Sequence, residues 1–251
     1  MLKRFLKKIL QILGYKISKI ENNDTLKIVG VNDEVKKIIL KSSTFSMTGK
    51  LRMYVLSEAI KNIRNNSIKG EFVECGVWRG GNLILMNELN KIYKLKKKIY
   101  GFDTFDGMSE PTEFDKDPYD ISAKKRLENS IKSETEENVH CFSPIEEVRK
   151  NISDNSSLEN IILVKGMVEK TLLNNDNIPE QISLLRLDTD FYESTKIELE
   201  ILFPKLVSGG ILILDDYGYW SGARKAIDEY FKNTNYWLHY VDPSCRYLIK
   251  E

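Results

Sequence analysis

The sequence predicts an α/β fold in which a mostly parallel β-sheet is covered by helices on both faces. Three observations carry that expectation. Apolar, strand-like runs recur at 71–75, 98–102, 160–164, 182–187 and 210–214. Amphipathic stretches at helical spacing fall between or after them, at 82–93, 144–151, 194–203 and 222–231. Strands that alternate with helices need crossovers, and crossovers place helices over both sheet faces. The third observation is length: 251 residues suit one such domain with a full core.

The elements follow in order. At the start, Leu2, Phe5, Leu6, Ile9, Leu10 and Leu13 share one helical face, and Lys3, Arg4, Lys7 and Lys8 take the other. Such a basic amphipathic helix suits either peripheral contact with an anionic membrane or packing on its own domain or in a homo-oligomer. Residues 20–45 read as irregular or short elements. A helix is expected over 51–64, led in by Thr48-Gly49. Ser143-Pro144, followed by Glu146 and Glu147, reads as an N-cap, a first-turn proline and acids that favour the helix dipole. Two further strands are expected at 236–241 and 246–249, joined as a hairpin by Asp242-Pro243-Ser244. The expected sheet therefore has seven strands.

Composition excludes several classes. Thirty-eight basic and 37 acidic side chains leave a net charge of +1, so no global field draws the chain to nucleic acid. Cys75, Cys141 and Cys245 are too few and too scattered for a disulfide framework or a CxxC metal site. No apolar run approaches the roughly 18 residues of a membrane span, and no cleavable signal is evident. A cytoplasmic setting is the simplest expectation.

In a parallel sheet, ligands bind beyond the carboxyl ends of the strands, so the chemistry is sought there. The first strand ends in Glu74-Cys75-Gly76-Val77-Trp78-Arg79-Gly80-Gly81, an E-x-G-x-x-x-G-G pattern. Its glycines allow a sharp turn and close approach of backbone to ligand, and the next helix offers free N–H groups. The spacing differs from the G-x-G-x-x-G dinucleotide fingerprint. That favours the looser glycine loop of S-adenosylmethionine (SAM) enzymes, although any tight strand-to-helix turn carries similar glycines. The second strand leads to Asp103, placed to accept ribose hydroxyls or to cap a loop.

The fourth strand ends in Asp188-Thr189-Asp190 and the fifth in Asp215-Asp216. If the two strands are neighbours, their ends lie about 5 Å apart and the carboxylates converge. Like charges so packed repel unless a cation binds or protons are taken up. Oxygen-only ligands select a hard ion such as Mg²⁺ or Mn²⁺. Helix capping by Asp215-Asp216 accounts for one of the two pairs, not both.

These segments together resemble the macrocin O-methyltransferase family. The resemblance spans about residues 46–231 through Ser46-Met47-Thr48, GEFVECGVWRGG (70–81), DTFDGM (103–108), VKGMVEKTL (164–172), LLRLDTDFYEST (184–195) and GGILILDDYG (209–218). It implies a Rossmann-like class I methyltransferase domain over 46–251 behind a lead-in of 1–45. It implies SAM and Mg²⁺ as cofactors and a small-molecule sugar or sugar nucleotide as acceptor. By motif match, Asp188, Asp215 and Asp216 would hold the metal and Asp190 would be the general base. Asp103 and Thr104 would meet the ribose. Glu74, Gly76 and Asn82 would line the methionine end of SAM, and Gly166 and Met167 the adenine. Thr104 and Met108 depart mildly from the family's usual serine and leucine. Residues 111–119 match least well and are expected to belong to a lid or acceptor loop.

The remaining candidates are weaker. Tyr192 and Tyr217 flank the carboxylates and are read either as acceptor contacts or as wall packing. Trp220 is the best sugar platform, while Trp78 and Trp237 read as packing. Arg79 is read equally as counter-charge to the SAM carboxylate or as a stacked structural residue. His140 and His239 read as structural or solvated. The basic leader points to an acceptor destined for capsule or lipopolysaccharide, with a GDP-linked heptose as the specific guess. A SAM-binding assembly protein without chemistry is the rival class; the full carboxylate set argues against it.

Overall fold

Continuous apolar runs become interior strands when both faces are covered. A computed structural model of the chain describes residues 30–132 and 139–251. Strands β1 (Glu71–Cys75), β2 (Ile99–Asp103), β3 (Ile161–Lys165), β4 (Ile182–Leu187) and β5 (Leu206–Leu214) run parallel. Strands β6 (His239–Tyr240) and β7 (Arg246–Ile249) complete the sheet in antiparallel fashion. The order across the sheet is β3-β2-β1-β4-β5-β7-β6. The seven strands and their mostly parallel arrangement match the sheet expected from the sequence.

The sheet order reverses between β1 and β4, the crevice where open α/β sheets take ligands. Register then decides which residues meet there. Cys75 pairs with Phe102 on one side and Leu187 on the other, and Leu187 pairs with Leu214. Gly76, Asp103, Asp188 and Asp215 are the next residues along each strand, so all four emerge at one height.

The helices are α1 (Asp33–Ser42), α2 (Lys50–Asn65), α3 (Gly81–Ile92), α4 (Ala123–Glu128), α5 (Ile145–Asn155), α6 (Val168–Thr171), α7 (Tyr192–Leu202) and α8 (Ser221–Phe231). Helix α1 lies within 20–45, where irregular or short elements are expected. Asn32 caps it by accepting the Glu34 N–H at 2.8 Å, and Val35, Ile38 and Ile39 are buried. It packs on α2 and α3, and one compact unit runs over 31–251, starting ahead of the boundary expected at residue 45. The amphipathic segment 2–13 lies outside the described residues.

Three boundaries also shift. Pro144, not Ser143, is the N-cap of α5: its carbonyl accepts the Val148 N–H, and the Ser143 hydroxyl turns to Glu147. Strand β5 begins four residues early, because Leu206 still pairs with Ile182 across an irregularity. The tail strand expected over 236–241 shortens to two residues, since Tyr236 leaves the ladder to pack its ring on Phe203 and Phe231. The hairpin turn stands as expected, with Asp242 Oδ1 accepting the N–H groups of Ser244 and Cys245. No helix among the described residues is long and apolar enough to cross a membrane.

The core between the sheet and its covering helices includes Val73, Leu185, Leu199, Leu202 and Leu212, all without solvent contact. Leu185→Ala in the central strand is expected to cost about 2–5 kcal/mol. At roughly 2–4 °C per kcal/mol for this size, the melting temperature should fall by about 4 °C or more.

Candidate active site

The glycine turn after β1 is dictated by space. Gly76 has φ +85°, and a Cβ there would lie 1.9 Å from the Asp188 carbonyl oxygen. The turn aims the Val77 and Trp78 N–H groups at Asp103 Oδ2, at 2.7 and 3.0 Å. Phe105 N–H donates to Asp103 Oδ1 at 2.7 Å. Three backbone donors thus fix this carboxylate at the floor of a cavity of about 410 Å³. Thr104 lines the same cavity but spends its hydroxyl proton on the Gly107 carbonyl. Gly76, Asn82, Gly166 and Met167 also line it.

The acidic end of the cavity is built around one cation. Arg186 is 1% exposed and sits within the apolar strand β4. Its guanidinium lies 2.7 Å from Glu74, 2.8 Å from Asp188 and 3.1 Å from Asp215, and donates to Thr48 Oγ1 at 2.8 Å. Arg52 on α2 adds ion pairs to Asp215 at 2.7 Å and Asp242 at 2.6 Å. Burial raises the Asp215 carboxyl, but the two guanidinium groups outweigh this and hold it below its ordinary value. Burial and the neighbouring carboxylates push Asp188 well up even against Arg186. Asp216 is pushed well up by burial and by Asp190 and Asp215.

Asp188, Asp215 and Asp216 each offer an oxygen, all within 4.8 Å of one another. Asp216 Oδ2 is buried and meets no hydrogen-bond donor among the described residues. Two arginines therefore face six carboxylates, counting Glu74, Asp190 and Asp242. The surplus negative charge and the all-oxygen set fit a hard divalent cation.

Asp190 stands beside this cluster with φ +68°, a region that residues other than glycine rarely occupy. Burial and then Asp188 raise its carboxyl to about 7, with the neighbouring Asp216 and Trp220 side chains opposing the rise. Trp220 also lines the cavity, with Tyr219 beside it at the mouth.

Other sequence candidates lie elsewhere. Glu74 does not line the cavity; it is fully buried behind it as the partner of Arg186. Tyr192 begins α7 and donates its hydroxyl to Glu229 on α8, away from the cavity. Tyr217 donates to Asp228, and Arg246 lies over its ring at 5.2 Å. Arg79 turns outward to Glu147 and stacks on Phe45 and Trp78. Reading the sequence missed Arg186, Arg52 and Tyr219. Arg186 carried a usable signal, because a charge inside a continuous apolar strand must find a buried partner. Arg52 and Tyr219 carried none, since their roles depend on which helix and turn fold over the strand ends.

The chain matches the macrocin O-methyltransferase (TylF) family over residues 17–249. It belongs to that family. It is 31% identical over 194 residues to the demethyldecarbamoylnovobiocin O-methyltransferase of Streptomyces niveus, covering 75% of this chain and 68% of that one. It is 30% identical over 192 residues, with the same coverage, to the 8-demethyl-8-(2,3-dimethoxy-α-L-rhamnosyl)-tetracenomycin-C 4′-O-methyltransferase of Streptomyces olivaceus. Among solved structures, the O-methyltransferase NovP superposes with a TM-score of 0.70 at 26% identity, covering 82% of each chain. The calicheamicin methyltransferase CalS11, at 19% identity and a TM-score of 0.57, shares the fold. This family member is a SAM-dependent O-methyltransferase.

Replacing Arg186 with Met would leave Glu74 and Asp188 without their guanidinium partner and Asp215 with Arg52 alone, and urea denaturation should report a loss of about 3–5 kcal/mol. Adding Glu74→Gln to that variant should return part of the loss; strictly additive effects would show that the two side chains do not interact.

Proposed function

We propose that this enzyme methylates a sugar hydroxyl and that Asp188, Asp215 and Asp216 hold a Mg²⁺ or Mn²⁺ ion for the reaction. The observation that carries the reading is the convergence of these three carboxylates with Asp190 on one cavity. SAM, when bound, supplies the methyl group on a sulfonium leaving group. The ion, when bound, lowers the pKa of the acceptor hydroxyl and orients it.

The chain's residues do the rest. Asp190 takes the hydroxyl proton; it lines the cavity beside Trp220, held there on a left-handed backbone. Arg186 and Arg52 hold Asp215 in its charged form, and Arg186 grips Asp188. Asp103 faces the ribose, while Gly166 and Met167 line the adenine end. Asn82 lines the methionine end, and its buried Oδ1, which meets no donor among the described residues, suits the ammonium group. Trp220 and Tyr219 form the wall against which the acceptor rests.

A sugar acceptor is supported by the relatives, one of which is named for methylation of a rhamnosyl-bearing tetracenomycin. That favours a glycosylated natural product. The basic leader at 2–13 favours a second form of acceptor, a nucleotide-linked sugar such as GDP-heptose made for capsule or lipopolysaccharide. A mass-spectrometric screen of glycosides and nucleotide sugars for the gain of one methylene separates the two.

Chelator-treated protein should lose methyl transfer and regain it with Mg²⁺, and Asp188→Ala should abolish it while SAM still binds. Full turnover in chelator would remove the metal role. Asp190→Asn should lower kcat by roughly 10²–10⁴-fold with little change in SAM affinity. Turnover near the wild-type rate would reassign the base.

A further inference from the structure

Beyond β2 the chain leaves the sheet and crosses to the starts of α7 and α8. Asp115 anchors that excursion and is 0% exposed. Its Oδ1 accepts the backbone N–H of Tyr192, the first residue of α7, at 2.8 Å. Its Oδ2 accepts the Thr112 backbone N–H at 2.6 Å and the Thr112 hydroxyl at 2.8 Å. Its carbonyl accepts the Ala123 N–H at 2.8 Å. On its other side stands Gly222, the second residue of α8, where a Cβ would lie 1.7 Å from Asp115 Oδ1. The next residue repeats the pattern: Lys116 N–H donates to Ser221 Oγ at 3.0 Å, and Ser221 N–H donates to the Lys116 carbonyl at 2.9 Å.

Two adjacent residues thus clip the first turns of two helices, and each clipped turn directly follows a site residue. Asp190 precedes Tyr192 by two positions, and Trp220 precedes Ser221 by one. The two site residues line the same cavity. Phe191 and Trp220 pack edge to face at 5.5 Å, and with Ala123 and Ala223 they form a separate small core against Met108, Leu127 and Val139. The φ of +68° at Asp190 is a conformation that persists only where its surroundings over-determine it. A helix is ordinarily capped by the residue just before it; here the cap comes from 77 positions upstream.

We propose that Asp115 is a positioning residue for methyl transfer, holding Asp190 and Trp220 on the cavity through the helix starts that follow them. The inference rests on the reading of Asp190 as the base. Its signature is loss of turnover without loss of cofactor binding, because Asp115 touches neither the glycine turn nor Asp103.

The test uses the full chain with a responsive acceptor, calorimetry for SAM binding and a melting curve for each variant. Asp115→Ala should lower kcat roughly 10²-fold, with the SAM Kd changed by less than about twofold. Gly222→Ala, which displaces the same carboxylate from the opposite side, should give the same kcat-only loss. If Asp115→Ala does not fold, Thr112→Val decides: it removes one donor and should lower kcat about five- to tenfold with SAM affinity kept. Folded Asp115→Ala, or Thr112→Val in its place, turning over at the wild-type rate overturns the proposal. So does an equal loss in Arg126→Leu, which breaks the Asp117 ion pair on the same excursion without touching either helix start. Asp190→Asn run alongside separates the two ideas. Normal turnover in that variant removes the base assignment and the inference together, whereas its loss beside a normal Asp115→Ala removes the inference alone.

Discussion

A buried guanidinium cannot stand alone, and much of the site follows from satisfying Arg186. A charge taken from water costs several kcal/mol unless partners replace its hydration. Arg186 has no solvent to turn to, so Glu74 from β1, Asp188 at the end of its own strand and Asp215 from β5 must close on it. Three strand ends are thereby drawn to one point. Arg52 repeats the logic from outside, tying α2 to Asp215 and to the turn before β7. Removing either arginine removes a constraint on carboxylate geometry as well as a charge.

The same arrangement leaves negative charge in excess. Asp216 has a buried oxygen that meets no donor among the described residues, and Asp188, Asp190 and Asp216 are all pushed towards protonation. A protein with no use for this charge would be more stable with apolar residues in these places. A divalent ion bound there would neutralise the excess, and the raised Asp190 carboxyl suits a group that accepts a proton near neutrality. The strained backbone at Asp190 fits the same view, since strain of this kind gathers at functional sites.

Much of this was legible in the sequence for identifiable reasons. The strands of the parallel sheet read clearly because burial on both faces demands continuous apolar runs. The strand-end residues Gly76, Asp103, Asp188 and Asp215 followed from the rule that such sheets bind ligands at their carboxyl edge. Helix α1 was legible only as a short element without bounds, being set in a polar stretch where Val35, Ile38 and Ile39 mark its buried face. Glu74 was misjudged because the motif gives its position along the strand but not the face it takes; its side chain turns inward to Arg186. Of the two roles open to Tyr192 and Tyr217, acceptor contact is the one not seen: their hydroxyls go to Glu229 and Asp228 on α8, partners that position in sequence does not reveal. Asp115 was invisible, because nothing local links it to helices that start 77 and about 105 residues later.

The central claim is that Asp188, Asp215 and Asp216 form a metal site. It is tested most directly by titrating Mn²⁺ into the chelator-stripped protein and following the free-ion electron paramagnetic resonance signal. One saturable ion per chain is expected, weakened at least about tenfold by Asp216→Asn in a variant that still melts cooperatively and binds SAM. Absence of saturable binding, or binding indifferent to Asp216→Asn, would contradict it.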